Sequence, residues 1–103
     1  MKAALLMLLM ATAAWAETDA KTERTFKAKC SACHGKDGKA QTEKGRKMKI
    51  EDMTTPEFKK KPDAELRKAI NEGVDKGDKL MDPYKDELTP EQVESLIKFI
   101  RSL

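Results

Sequence analysis

Residues 30–34 are Cys-Ser-Ala-Cys-His, two cysteines three positions apart with a histidine directly after the second. On a helix, residues at i and i+3 project from the same face, so two sulfurs at this spacing can bond to one edge of a flat ligand. His34 then offers an imidazole nitrogen, which is a good iron ligand, beside that edge. The pattern is the attachment signature of a c-type haem. It predicts a covalently held haem, with Cys30 and Cys33 as thioether anchors and His34 as an iron ligand.

Three other interpretations of the same residues are weaker. A dithiol redox centre normally opens a helix after a strand in a βαβ unit, and the sequence contains no such pattern. A structural zinc site needs four protein ligands, whereas the two cysteines and the only histidine of the chain supply three. A disulfide across two residues would close a very small loop and would constrain the unfolded chain little.

The first 16 residues have the pattern of a secretory signal peptide. Lys2 provides the positive start, an apolar run follows, and residues 14–16 are the small-x-small sequence Ala-Trp-Ala. The apolar run is shorter than the roughly 20 residues that a membrane span needs. We therefore expect cleavage after residue 16, a single mature domain at residues 17–103, no membrane anchor after cleavage, and a location in the bacterial periplasm.

The composition of the mature segment suggests that its core depends on a cofactor. Its 87 residues make a small domain, and its side chains include no tryptophan and only three phenylalanines. A buried porphyrin would supply the large apolar body that these side chains lack. Without haem, the chain is therefore predicted to be largely unfolded.

The charges of the chain are abundant and nearly balanced. The sequence has 21 basic and 18 acidic side chains, and loss of Lys2 with the signal peptide leaves a formal charge of +2. This balance gives no reason to expect nucleic-acid binding. Basic residues are nevertheless concentrated after the attachment motif, in residues 36–49 and 59–61, where they could attract an acidic redox partner over a distance that salt would shorten. The chain is expected to be a monomer.

The spacing of apolar residues predicts an all-α domain, because β-branched aliphatic residues are sparse and no alternating run occurs. A first helix is predicted over residues 19–33, with Phe26 and both cysteines on one face and Gly35 as its stop. A polar, basic loop is expected over residues 36–52. A second loop is expected over residues 75–84, whose glycine, charges and proline disfavour regular structure.

The remaining helices have clear start signals. Thr55 followed by proline begins a short helix, and a longer one is predicted over residues 62–72 with a stop at Gly73. The last helix begins at Thr89, where proline at the first helical position and glutamine at the third complete a capping box, and continues to the end of the chain. We expect the first and last helices to pack together, with Phe26 near Phe99.

The sixth ligand of the iron decides between electron transfer and ligand chemistry. His34 is the only histidine and the cysteines are used as anchors, so methionine, lysine or an open site remains. Met48 and Met53 are expected to act as apolar filler after the motif. Met81 lies in the segment that leads to the last helix, and its soft, neutral thioether would favour ferrous iron. We predict Met81 as the ligand, with Lys79 or Lys85 replacing it chiefly at alkaline pH.

Two stretches carry a family resemblance. These are Cys-Ser-Ala-Cys-His-Gly-Lys-Asp-Gly-Lys at residues 30–39 and Met-Asp-Pro-Tyr-Lys-Asp-Glu-Leu-Thr at residues 81–89. With them the mature chain resembles a small bacterial class I cytochrome c over its whole length. The resemblance implies the all-α cytochrome c fold, with about four helices wrapped around one covalently attached haem and with His34 and Met81 as axial ligands. Asp82 stands where many relatives have proline, and no proline between Gly35 and Thr55 is available to orient the histidine.

The function expected from these observations is that of a periplasmic electron carrier with one haem c and no enzymatic activity of its own. Its donor and acceptor proteins are unknown. A haem-based gas-binding or sensor module, in which Met81 is displaced by the ligand, is a different class of protein with the same motif. Carbon monoxide binding by the unmutated ferrous protein separates the two, because firm methionine ligation resists it.

Overall fold

A computed structural model describes the backbone of residues 10–103 and the side chains of residues 20–103. Residues 1–9 of the predicted signal peptide, and the side chains of its cleavage site, lie outside this description. The described part is mainly helical, which confirms the predicted class, and none of its helices is both long and apolar enough to cross a bilayer. Its helices are α1 (Met10–Lys29), α2 (Ser31–His34), α3 (Glu43–Lys47), α4 (Pro56–Lys59), α5 (Asp63–Glu72) and α6 (Pro90–Arg101), with strands β1 (Val74–Lys76) and β2 (Lys79–Met81) between α5 and α6.

The start of α6 has the predicted capping box. The Thr89 hydroxyl accepts from the Gln92 N–H at 3.2 Å, and the Gln92 side chain accepts from the Thr89 N–H at 2.8 Å. Pro90, at the first helical position, needs no hydrogen-bond acceptor because it has no N–H. Thr55 caps α4 in the same way, by accepting from the Phe58 N–H. Both predicted helix starts are therefore confirmed.

The first and last helices pack against each other, as predicted. The rings of Phe26 and Phe99 are tilted by 51° with their centroids 5.1 Å apart, a favourable aromatic arrangement. Phe26 is completely buried. The core cluster around it draws on α1, α4, α5, α6 and the segments between them, and comprises Phe26, Met53, Phe58, Leu66, Ile70, Leu88, Val93, Leu96, Ile97 and Ile100.

Two helical predictions need correction. The helix predicted over residues 19–33 is interrupted at Cys30, where α1 gives way to the single turn of α2. The Ser31 hydroxyl bonds back to the Lys27 carbonyl, a contact that tends to bend helices. The segment predicted as a loop over residues 36–52 contains α3, whose first turn is capped by the Thr42 hydroxyl. Described helices thus number six rather than about four, because three of them are single turns.

The second predicted loop, over residues 75–84, is also wrong in part. Strands β1 and β2 form an antiparallel hairpin in which Val74 pairs with Met81, and Gly77 and Asp78 make the turn. The strands are short and mostly exposed, so their side chains show no apolar alternation that would reveal them in the sequence. The hairpin delivers Met81 at the end of β2.

Candidate functional site

The attachment motif occupies the junction between α1 and α2. The Cys30 N–H donates to the Phe26 carbonyl at 2.9 Å, which completes α1, and the Cys30 carbonyl accepts from the His34 N–H at 2.9 Å, which closes α2. Cys30 therefore lies between the two helices and is hydrogen-bonded to both. The two cysteines and the histidine lie within one helical turn even though the long helix predicted through them is interrupted.

Both cysteine thiols are free and half-buried. Burial raises the pKa of the Cys30 thiol to about 11, against the opposing charge of Lys29 and with a smaller contribution from Cys33. A thiol with so high a pKa is protonated and weakly nucleophilic at neutral pH. Dithiol redox centres require the opposite, a lowered thiol pKa, so this environment argues against a dithiol oxidoreductase.

The His34 imidazole is neutral and incompletely partnered. Its burial lowers the pKa of the ring below the usual 6.5, which leaves it uncharged at neutral pH, the form that binds metals. Its Nδ1 atom is buried and has no hydrogen-bond partner among the described residues. Leaving a buried polar atom unpaired costs about 1–3 kcal/mol. An imidazole that bears this energetic cost is expected at a site that binds another group, and not where the side chain only packs. A neutral imidazole beside two thiols fits a c-type haem.

The segment behind the motif holds its backbone in place. The Thr42 hydroxyl donates to the Cys33 carbonyl at 2.7 Å and accepts from the Gly45 N–H at 2.8 Å, while the Ala40 N–H donates to the His34 carbonyl at 2.8 Å. Gly45 lies so close to the carbonyls of Cys33 and Ala40 that a Cβ atom there would overlap them. These contacts were not predicted, although a threonine followed by Glu43 is a recognisable start for a short helix.

Met81 reaches the same hydrophobic region as the motif. Its half-buried side chain and that of Cys30 both pack against the core cluster. The backbone of Met81 lies directly on Gly73, the residue that ends α5, where a Cβ atom would overlap the Met81 carbonyl oxygen. Gly73 has φ +75° and ψ −177°, a conformation essentially restricted to glycine. The predicted helix stop at Gly73 is confirmed, and it also lets the Met81 segment approach α5.

The other candidate ligands have different surroundings. Met53 is 6% exposed and belongs to the core cluster, as expected of apolar filler, and Met48 is half-buried outside that cluster. Lys79 and Lys85, the predicted alkaline substitutes, are exposed. Within residues 10–103, no three side chains of His, Cys, Asp or Glu lie close enough together to hold a metal ion, which also disfavours the zinc interpretation.

Comparisons with known proteins identify relatives of the whole domain. The family model described as cytochrome C oxidase, cbb3-type, subunit III matches residues 17–100. The solved structure of the KustC0563 c-type cytochrome is 30% identical, with a TM-score of 0.69 over 79% of this chain and 94% of that one. A tyrosine-to-phenylalanine mutant of Kustc0563 is 32% identical, with a TM-score of 0.68 over 78% and 94% of the two chains. No curated protein sequence matches the chain significantly.

Proposed function

The chain belongs to the c-type cytochrome family described as cytochrome C oxidase, cbb3-type, subunit III, whose members use haem for electron transfer, and on that premise we propose that it is a periplasmic carrier of single electrons. Its cofactor is one haem c, held by Cys30 and Cys33 and ligated by His34 and Met81. The observation that supports this proposal best is the packing of Cys30 and Met81 on one hydrophobic cluster, while His34, on the same helical turn as Cys30, has a buried Nδ1 atom without a partner.

The two cysteines act as anchors in this proposal. Both thiols are free of a disulfide and are carried on one helical turn, and the raised pKa of the Cys30 thiol keeps it protonated at neutral pH. Cys30 and Cys33 would each hold the porphyrin through a thioether, which addition of the S–H bond across a vinyl group would form without an external oxidant. The hydrogen bonds of residues 40–45 to the motif backbone fix the turn that presents both sulfurs.

His34 and Met81 are the residues that would hold the iron. The haem supplies reversible one-electron chemistry at its iron when bound. His34 offers a neutral nitrogen, and Met81 a soft, neutral sulfur that favours the ferrous state and raises the reduction potential. Because both ligands are neutral and Met81 packs against the core cluster, little should have to rearrange when the electron arrives or leaves. The protein sets the potential and the access, and has no catalytic step of its own.

The charge distribution favours an acidic partner at the segment after the motif. Residues 36–61 carry nine basic and five acidic side chains, a formal charge of +4, whereas residues 62–103 carry seven and ten, a charge of −3. Eight of the cations are exposed, namely Lys36, Lys39, Lys44, Arg46, Lys47, Lys49, Lys59 and Lys60. None of them takes part in an ion pair with another described residue. We propose that an acidic redox protein docks on this face, and that rising salt slows its association.

The test of the proposed function is a set of measurements on the exported, mature holoprotein. We expect the mass to equal residues 17–103 plus one haem, the haem to remain bound to the chain in acidified organic solvent, and the visible spectrum to titrate as a single one-electron couple. Haem that is extracted by the solvent would contradict covalent attachment. Avid carbon monoxide binding by the unmutated ferrous protein at neutral pH would instead favour a gas-binding module.

A further inference from the structure

The helix break at Cys30 leaves the Lys29 carbonyl without its usual helical partner. In an uninterrupted α-helix this carbonyl would accept from the N–H four residues later, that of Cys33. The Cys33 N–H instead donates to the Cys30 carbonyl at 3.3 Å. The vacant acceptor is taken by the Tyr84 hydroxyl, which donates to the Lys29 carbonyl at 3.1 Å. A side chain 55 residues away thus satisfies the last carbonyl of α1.

Tyr84 is fixed at its other end as well. Its N–H donates to the Ile70 carbonyl of α5 at 2.9 Å, and its carbonyl accepts from the Leu88 N–H at 2.9 Å. Its ring packs against the core cluster, with the Lys29 ammonium 6.0 Å from the ring centroid. The backbone, ring and hydroxyl of Tyr84 are therefore all held in place. The residue connects α5, through its backbone, to the end of α1, through its hydroxyl.

These contacts join the two halves of the proposed haem site. Lys29 directly precedes Cys30, and Tyr84 follows Met81 by three residues. We propose that Tyr84 is a positioning residue that holds the Met81 segment against the attachment motif, and that its hydrogen bond sets how readily an external ligand displaces Met81. This inference rests on the proposed His34/Met81 ligation and deepens it, because it names what keeps the sulfur within reach of the iron.

The expected size of the effect follows from the net worth of one hydrogen bond. Such a bond changes an equilibrium constant by roughly two- to tenfold. Without the hydroxyl, the Met81 segment keeps its contact with Gly73 and its hydrogen bonds to α5, so ligation weakens and is not abolished. An added ligand that competes with methionine should then bind more tightly, by the same factor.

The experiment compares imidazole binding to the ferric holoprotein with and without the hydroxyl. Loss of the long-wavelength methionine-to-iron charge-transfer band reports the displacement of Met81. In Tyr84→Phe we expect the dissociation constant of imidazole to fall by roughly two- to tenfold. Lys29→Ala removes the ammonium near the ring and the 3.4 Å ion pair with Glu87 but keeps the carbonyl, so its imidazole affinity should stay close to that of the unmutated protein.

A second control separates positioning from general stability. Glu94→Gln removes the two-point ion pair with Arg67 between α5 and α6, far along the chain from either ligand segment. It should lower the free energy of unfolding without changing imidazole affinity. If Tyr84→Phe behaves in the same way, with reduced stability and unchanged affinity, its role is structural only and the inference is overturned.

The same assay distinguishes failure of this inference from failure of the proposed function. If the unmutated protein lacks the charge-transfer band, or if the band persists in Met81→Ala, the ligation proposal is wrong and the role of Tyr84 falls with it. If Met81→Ala abolishes the band while Tyr84→Phe binds imidazole like the unmutated protein, only the role of Tyr84 is wrong.

Discussion

The two segments that would enclose the haem are held in different ways. The attachment motif is fixed by partners close in sequence, because Phe26, Ala40 and Thr42 supply the hydrogen bonds to its backbone. The Met81 segment, residues 81–85, begins at the end of a short, mostly exposed hairpin. It is held by residues of α5 and by the distant contact between Tyr84 and Lys29. One side is therefore built locally, and the other depends on the tertiary fold.

This difference suits the roles proposed for the two sides. Covalent attachment requires both thiols to be presented together, which a locally fixed turn achieves. Met81 must lie close enough to bind the iron, but it is also the ligand that an added competitor can replace. Changes on the Met81 side should therefore alter ligation first, and changes on the motif side should alter stability and attachment first.

The largest expected effect comes from removing the group that joins the two sides. Cys30→Ala/Cys33→Ala should lose covalent haem and with it most of the helical signal in far-ultraviolet circular dichroism, because the mature domain is small and its core lacks large side chains. Ser31→Ala, inside the same motif, should keep its haem and its helicity. Full native helicity in the double variant would show that the two sides do not need the haem to come together.

A pair of glycines compares the two sides directly. Gly73→Ala should destabilise the protein by about 1–3 kcal/mol from its backbone conformation alone, and more from its overlap with the Met81 carbonyl. Gly45→Ala should also be destabilising, since its Cβ atom overlaps the Cys33 carbonyl. Urea unfolding measures both losses, and the charge-transfer band should weaken in Gly73→Ala alone.

Gly77→Ala serves as the control for this pair. Gly77 also has a positive φ, at the hairpin turn, but nothing lies within 4 Å of a Cβ atom there. Its replacement should therefore cause backbone strain without touching the Met81 segment. A band that weakens equally in Gly77→Ala and Gly73→Ala would remove the special role assigned to the Gly73 contact.

A smaller effect is expected from the hydroxyl behind the motif. Thr42→Val loses the cap of α3 and the bond to the Cys33 carbonyl, which together should cost about 1–2 kcal/mol of unfolding free energy. Thr89→Val loses only the hydroxyl cap of α6 and should cost less. Haem ligation should be retained in both. Equal losses in the two variants would mean that the bond to Cys33 contributes nothing measurable.

The smallest effects are those of pH, and Asp52 and Tyr84 should respond to it in opposite directions. Two hydrogen bonds from Thr54 lower the pKa of the Asp52 carboxyl below 3.8, so their contribution to stability is complete above about pH 4 and is lost as pH falls through the folded-state pKa. Burial, aided by neighbouring negative charge, raises the pKa of Tyr84 above 10, so its contribution is complete below pH 10 and is lost as pH rises.

Stability measured across this range in two variants tests the assignment. Asp52→Asn should flatten the acid limb of the profile, and Tyr84→Phe should flatten the alkaline limb. Because both residues are only partly buried, solvent screens their interactions and each change should be modest. If the alkaline limb is unaltered in Tyr84→Phe, other groups cause the loss of stability at high pH.

The same contrast between local and distant contacts explains what the sequence could reveal. The capping box at Thr89 and the cysteine spacing are signals contained within a few residues, and the predicted pairing of Phe26 with Phe99 followed from two helical faces. The hairpin was missed because charged, three-residue strands carry no apolar pattern. The helix break at Cys30 and the bond from Tyr84 to Lys29 depend on the folded chain, which no local pattern encodes.

The residues of the candidate site also differ in whether a local sequence signal could reveal them. Its motif residues were predicted from spacing alone, and Met81 from its position in the segment that leads to the last helix, after elimination had left methionine, lysine or an open site. The supporting residues Thr42, Gly45 and Tyr84 could not be predicted as such, because each acts through a backbone carbonyl that becomes available only in the folded protein. The imidazole Nδ1 of His34 has no acceptor among the described residues, which agrees with the lack of a proline in the segment after the motif.

The central claim, that one haem is ligated by His34 and Met81, is tested most directly by comparing two half-buried methionines. We predict that Met81→Ala gives a high-spin visible spectrum and binds carbon monoxide readily in the ferrous state. Met48→Ala, which lies outside the core cluster, should keep the low-spin spectrum of the unmutated protein. An unchanged low-spin spectrum in Met81→Ala would contradict the account.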